Sequence, residues 1–186
     1  MIIVLEGPDN AGKTTLARKL RHQLTSVKYY HPGGKPDDSA HEAEFLNQQS
    51  AMFRSTIPHI IDRVTCISQQ VYNPDPVLDH LRQQMAAEMI EAGVVVIYCR
   101  PPNEVLMDTA NFSWRAEETE EHRQKIITRA HEFIERYDKV MTGIPCISYD
   151  WRDAPHAELI AAKAVQALLG VQSAQEWFKN LINLRG

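Results

Sequence analysis

Gly7-Pro8-Asp9-Asn10-Ala11-Gly12-Lys13-Thr14 fits the pattern GxxxxGK[ST] without a mismatch, and its flanks give it structural meaning. Met1 to Leu5, ahead of Glu6-Gly7, is apolar and partly β-branched, the pattern of a strand buried on both faces of a parallel sheet. After the motif, Leu16, Leu20 and Leu24 recur every four residues and mark one face of a helix. A strand, a glycine-bearing turn and a helix in this order aim backbone N–H groups and a helix N-terminus at one point, where an anion is favoured. Gly7 and Gly12 allow the turn without a Cβ clash.

The rest of the chain repeats the alternation. Strands are expected at Val27 to Tyr30, Ile57 to Asp62, Val94 to Cys99 and Pro145 to Tyr149, with Pro58 blurring the start of the second of these. His31-Pro32-Gly33-Gly34 reads as a turn, and Ser39-Ala40-His41-Glu42 as a capping box opening a helix to about Arg54. Asp75-Pro76 starts a helix with Leu78, Leu81, Met85 and Met89 on one face, ended by Gly93. A short helix follows Pro101-Pro102-Asn103, then a polar segment from Asn111 to about Thr119 and a long helix to about Met141. Asp153 and Ser173 to Glu176 cap two further helices, the last bearing Trp177 and Phe178 as core or dimer-contact residues. Five strand–helix alternations predict one P-loop α/β domain over 1–186: three layers, with a five-stranded parallel sheet and helices on both faces. In such sheets ligands sit at the carboxyl ends of the strands.

Composition narrows the partners. A net charge of −4 argues against broad nucleic-acid binding. Cys66, Cys99 and Cys146 are widely spaced and odd in number, fitting reduced thiols in the cytoplasm better than a disulfide framework or a zinc site. The apolar N-terminus is too short for a signal peptide, no apolar run is long enough for a bilayer, and the histidines show no metal spacing.

The motif predicts ATP held by Gly7, Asn10, Ala11, Gly12, Lys13, Thr14 and Thr15, with Lys13 on the β- and γ-phosphates and the Thr14 hydroxyl on Mg²⁺. Alone it does not separate a kinase from a motor, a GTPase or a transport ATPase, although no NKxD-type segment supports a GTPase.

Glu6 to Thr15 resembles the phosphate loop of thymidylate kinases, close to EGxDxAGK[ST]T; Pro32-Gly33-Gly34 is similar to their PGG turn and Asp62-Arg63 to their DR motif. Ser68 and Tyr72 follow with nearly the family's spacing, while Tyr137-Asp138 and Ile147 to Trp151 are similar to shorter phage-type nucleotide kinases. The resemblance implies that Asp9 accepts a hydrogen bond from the acceptor's deoxyribose hydroxyl, the alternative being an Asx turn. It implies that Arg63 holds the acceptor phosphate and that Asp62 supports Mg²⁺ or orients Arg63, a purely structural Asp-Arg pair being the alternative. The family places a catalytic arginine in the phosphate loop or in a lid. Asn10 occupies the loop position, which leaves a lid at about 110–123 with Arg115, then Arg123, as candidates; a solvated helix start is the competing reading.

Lys35 and Arg100 are candidate phosphate contacts, Ser68 a substrate contact, and Phe53 and Tyr72 candidates for stacking on a base. His31 stands where deoxynucleoside kinases carry a catalytic glutamate, which favours a monophosphate acceptor needing no strong base. The expectation is ATP- and Mg²⁺-dependent transfer to a deoxynucleoside monophosphate, dTMP first, by an enzyme the resemblance implies to be a homodimer. A deoxynucleoside kinase, a kinase of DNA nucleotides and a non-kinase ATP switch stay open.

Overall fold

In the computed structural model, residues 2–24, 27–32, 36–108 and 119–153 are described, without the side chains of residues 23 and 122. Their strands are β1 (Ile2–Glu6), β2 (Lys28–Tyr30), β3 (His59–Asp62), β4 (Val95–Cys99) and β5 (Ile147–Tyr149). Their α-helices are α1 (Lys13–Gln23), α2 (Ser39–Phe53), α3 (Thr65–Tyr72), α4 (Asp79–Glu91), α5 (Asn103–Leu106) and α6 (Glu120–Met141). The strands form one parallel sheet in the order β2-β3-β1-β4-β5. The expected α/β architecture is therefore present, with β1 at its centre.

Side-chain alternation along each strand divides the core into two layers. Ile3, Leu5, Ile60, Val95 and Ile97 face α1, where Leu16, Leu20 and Leu24 pack as the four-residue spacing predicts. Ile2, Val4, Ile61, Val94 and Val96 face the opposite layer, with Leu46 and Phe53 of α2, Met85 and Met89 of α4, and Phe133, Tyr137 and Met141 of α6.

Several boundaries differ from expectation. The cap of α2 is Asp38, one residue before Ser39, its carboxylate accepting the His41 N–H at 2.8 Å. β3 begins at His59, after Pro58, which has no N–H to give a ladder. Asp75 caps a 3₁₀ turn over Pro76–Leu78, and α4 begins only at Asp79. The eight-residue α3 has no counterpart among the expected elements, because a helix of two turns is shorter than the stretch over which a period can be read. The helices expected beyond Asp153, with Trp177 and Phe178, lie outside the described residues, as does most of the expected lid.

α2 and α4 are locked by a buried ion pair. Arg82, fully buried, donates from Nε and Nη2 to both carboxylate oxygens of Glu42 (2.7 and 3.0 Å) and from Nη1 to the Asp75 carbonyl and the Asp79 carboxylate. Removing one partner strands the other charge in the core, which costs about 3–5 kcal/mol. Arg82→Met is therefore expected to lose stability of that order in urea unfolding, and Arg82→Met/Glu42→Leu to recover most of it. A double variant as unstable as the single one contradicts this account.

Candidate active site

The loop after β1 has the backbone that its sequence requires. Gly7 has φ +141°, and a Cβ there would lie 2.2 Å from the Cys99 carbonyl oxygen. Asn10 and Gly12 are left-handed at +64° and +82°, and the Asn10 side chain donates to the Val105 carbonyl of α5 at 3.0 Å. Gly12 is the N-cap of α1, which has neither a capping side chain nor an acidic residue in its first turn. The opening amides of α1 thus keep their capacity for an anion, unlike those of α2 beneath Asp38. Lys13, nearly buried, curls back and donates to the Gly7 and Pro8 carbonyls at 2.8 and 2.5 Å. Burial and the neighbouring Arg63 push its ammonium pKa down, against the pull of Asp9 and Asp62.

The sheet register brings β3 to this loop. Leu5 pairs with Asp62, so Asp62 ends level with the start of the phosphate turn. Its Oδ2 accepts from the Thr14 hydroxyl at 3.1 Å and from the Tyr29 hydroxyl at 2.8 Å. The two residues expected at Mg²⁺ are therefore adjacent. A hydroxyl and one carboxylate suit an ion that keeps several waters and takes its remaining ligands from phosphates. Among the described residues there is no group of three or more His, Cys, Asp or Glu that could cage a metal without a nucleotide.

Arg63 follows with φ +75°, and its Nη2 donates to Asp9 Oδ1 at 2.5 Å. The Tyr72 hydroxyl donates to the other Asp9 oxygen at 2.8 Å, and the Arg63 guanidinium lies 4.9 Å from the Tyr72 ring centre. Burial pushes the Asp9 carboxyl up, but Arg63, Lys13 and the Tyr72 hydrogen bond outweigh it and hold Asp9 below its ordinary value. The Arg63 and Asp9 side chains are 18% and 36% exposed, so this pair borders solvent and is open to a ligand.

The remaining expected contacts separate. Phe53 is a correction: it is core, packed with Ile2 and Val4. α2 ends there, shortly before β3 starts opposite Ile2, so Phe53 sits at the amino edge of the sheet, away from the loop. Ser68 is buried with its hydroxyl donating to the Val64 carbonyl at 3.0 Å, turned into its own helix rather than toward a substrate. Arg100 does reach the carboxyl edge, but its guanidinium is committed to both oxygens of Asp138 (2.8 and 2.9 Å) and to Asn103. Tyr72 packs on Phe133 and Tyr137 and serves Asp9. Lys35 and Arg115 lie outside the described residues. Arg123 is in the first turn of α6, on the same face as Ile126, which lines a narrow cleft with Pro8, Asp9, Leu106 and Phe133. Ile126 in that cleft sets the early turns of α6 beside the loop.

Three residues escaped the sequence reading as site components. Trp151 is 39% exposed with its indole against Gly12, 3.0 Å from where a Cβ would stand. Gln49 reaches the backbone beside Arg63 from α2. Glu6 is fully buried, with Oε1 accepting the Val64 N–H at 2.6 Å and Oε2 without a partner among the described residues. A carboxylate inside an otherwise apolar buried strand was the signal for Glu6. Burial raises its pKa to about 7, against the lowering effects of the Val64 hydrogen bond, Arg63 and Lys13.

No family model and no curated protein matches the chain. Solved structures do. The YorR protein of Bacillus subtilis, in complex with phosphorylated GDP, matches with a TM-score of 0.63 at 22% identity, over 91% of this chain and 96% of that one. Deoxyadenosine kinase from M. mycoides, with products dCMP and dCDP bound, matches at 0.55 and 14%, over 90% and 100%. Polyphosphate kinase 2 from Arthrobacter aurescens TC1 matches at 0.63 and 10%, over 92% and 69%. At these identities the likeness establishes the fold.

Glu6 makes stability depend on pH. Its folded pKa lies above the ordinary 4.5, so between 4.5 and about 7 the folded chain binds more protons than the unfolded one. Stability from this group therefore falls as pH rises through that window. Comparing urea unfolding of the wild type with Glu6→Gln at pH 5 and pH 8 is expected to show a shallower decline in the variant. Equal slopes would remove the carboxyl from this role.

Proposed function

We propose that this chain transfers the γ-phosphoryl group of ATP to a deoxynucleoside monophosphate, with dTMP the first candidate. The Asp9–Arg63 pair carries the reading. It sets a phosphate-binding cation and a hydroxyl-binding carboxylate side by side at the mouth of the phosphate loop. Together they match an acceptor bearing both a phosphate and a sugar hydroxyl. YorR, deoxyadenosine kinase and polyphosphate kinase 2 share the fold and are compatible with phosphoryl-transfer chemistry.

The acceptor's own charge supports a monophosphate over a nucleoside. A sugar hydroxyl needs a base to take its proton, whereas a monophosphate oxygen is already anionic. Asp9 is held below its ordinary pKa by its cations, which suits a hydrogen-bond acceptor better than a base, and Glu6 is fully buried.

In this reading the loop amides and the start of α1 hold the donor phosphates, and Lys13 leaves the Gly7 and Pro8 carbonyls for their oxygens. Arg63 orients the acceptor phosphate so that one of its oxygens attacks the γ-phosphorus as the bond to the departing ADP oxygen breaks. Thr14 and Asp62 would hold Mg²⁺, which supplies charge neutralisation on the donor phosphates. Arg123, or Arg115, meets the charge developing on the transferred group. The neutralising side chains do the work, and no proton needs to move.

A coupled assay over nucleoside monophosphates and nucleosides with ATP and Mg²⁺ tests the proposal. Turnover of a deoxynucleoside monophosphate is expected. Turnover of nucleosides alone, or acceptor-independent ATP hydrolysis, would replace it with a nucleoside kinase or an ATP switch. Lys13→Ala should lower kcat at least about 10³-fold. Arg63→Ala should raise the acceptor KM by about 10- to 100-fold, the worth of a charged hydrogen bond, while leaving the ATP KM within a factor of about three. An unchanged acceptor KM in Arg63→Ala would take Arg63 out of its role.

A further inference from the structure

Arg63 occupies a backbone conformation that residues with a Cβ rarely adopt, and something must keep it there. Its own N–H donates to the Leu5 carbonyl at 3.0 Å, which ends the β1–β3 ladder. The groups that follow are held by side chains from two other elements. The Val64 N–H donates to Glu6 Oε1 at 2.6 Å, and the Thr65 N–H to Gln49 Oε1 at 2.8 Å. Gln49 Nε2 turns back to the Arg63 carbonyl at 3.5 Å. Both side chains are fully buried.

Val64 and Thr65 also form the start of α3, with Val64 as its N-cap. A valine has no oxygen to offer the first amides of a helix, and buried amides need partners. α2 solves the same problem locally with Asp38. α3 instead receives its caps from β1, 58 residues earlier, and from α2, 16 residues earlier. The bend, the cap and the arginine are thus one unit, braced from both sides by side chains of β1 and α2.

We propose that Glu6 and Gln49 are positioning residues that set acceptor affinity by holding the backbone of 63–65, and with it the Arg63 guanidinium, in the conformation that faces Asp9. The inference rests on the acceptor role of Arg63 proposed above. Without the two braces the bend relaxes toward an ordinary φ, a rotation of more than about 100° about the Arg63 N–Cα bond that swings the side chain with it. The guanidinium then leaves Asp9 and the mouth of the loop. The groups that hold the donor phosphates, the loop amides, Lys13 and the start of α1, lie outside residues 63–65 and are left in place.

Gln49→Met, which preserves side-chain length and removes both hydrogen bonds, is the first test. The loss of caps worth a few-fold each is expected to raise the acceptor KM about five- to tenfold, with the ATP KM unchanged. Gln49→Glu keeps an acceptor for the Thr65 N–H and is expected to stay within about threefold of wild type. In an Arg63→Ala background, Gln49→Met should add nothing to the acceptor KM. Equal rises in both KM values, or a further rise in that background, would overturn the positioning role. Two measurements need no acceptor: hydrogen exchange at the Val64 and Thr65 amides, and the NMR signal of the Arg63 Nε–H group in the free protein. Both are expected to change in Gln49→Met and in Glu6→Ala, while exchange in α1 is retained. If no monophosphate is phosphorylated but these signals change, the function falls and the brace stands. If they do not change in Gln49→Met, the brace falls whatever the substrate.

Discussion

The register of β1 against its two neighbours is the constraint on which the site depends. Leu5 beside Asp62 and Glu6 beside Tyr98 bring the ends of three strands level, and the phosphate turn leaves from the middle one. From that alignment Thr14 meets Asp62, Asp9 meets Arg63, and Gly7 presses on the Cys99 carbonyl closely enough to exclude a Cβ. A slip of one residue would turn every side chain of β3 to the opposite face and put Asp62 into a hydrophobic layer. The loss of the Thr14 and Tyr29 hydrogen bonds to a buried Asp62 opposes that slip, so the polar end of β3 fixes the register that aims the catalytic candidates.

Around this frame two cations and three carboxylates share a small volume. Lys13 and Arg63 repel each other, and Glu6, Asp9 and Asp62 compensate unequally. Asp9 takes the hydrogen bonds and stays below its ordinary value, whereas Glu6, fully buried and with one oxygen unpartnered among the described residues, holds its proton more tightly. Phosphate oxygens arriving at such a site relieve the repulsion between the cations. They also compete with Asp9 for Arg63 and with two loop carbonyls for Lys13. The free protein therefore keeps both cations engaged on replaceable partners.

Legibility in the sequence tracked how local the determining interaction was. The phosphate loop, α1 and the alternation of strands were readable because contiguous residues carry them through glycine geometry and periodic burial. The pairing of Thr14 with Asp62 was expected only through resemblance, and the Asp9–Arg63–Tyr72 cluster not as a cluster at all. Phe53 was misplaced because an aromatic at a helix end gives no sign of which sheet edge that end approaches. Arg100 was correctly put at the carboxyl edge, yet its partner Asp138 comes from a helix 38 residues later and absorbs its charge. Gln49 was invisible: a glutamine inside a polar helix looks solvated until α2 is packed with its buried face toward α3.

By itself, then, the amino-acid order determined that β1 is buried on both faces, that a glycine-bearing turn of the GxxxxGK[ST] pattern follows it, and that a parallel α/β sheet accommodates the repeating pattern. Those are consequences of side-chain volume and polarity along neighbouring residues. Tertiary structure alone decided which charges meet, because ion pairs and remote caps depend on the relative placement of elements separated by tens of residues. It made Arg63 left-handed, assigned the caps of α3 to Glu6 and Gln49, and sent Arg100 to Asp138 instead of the site. Strand register and helix docking set those partnerships, and both are governed by a core whose contacts are largely non-local.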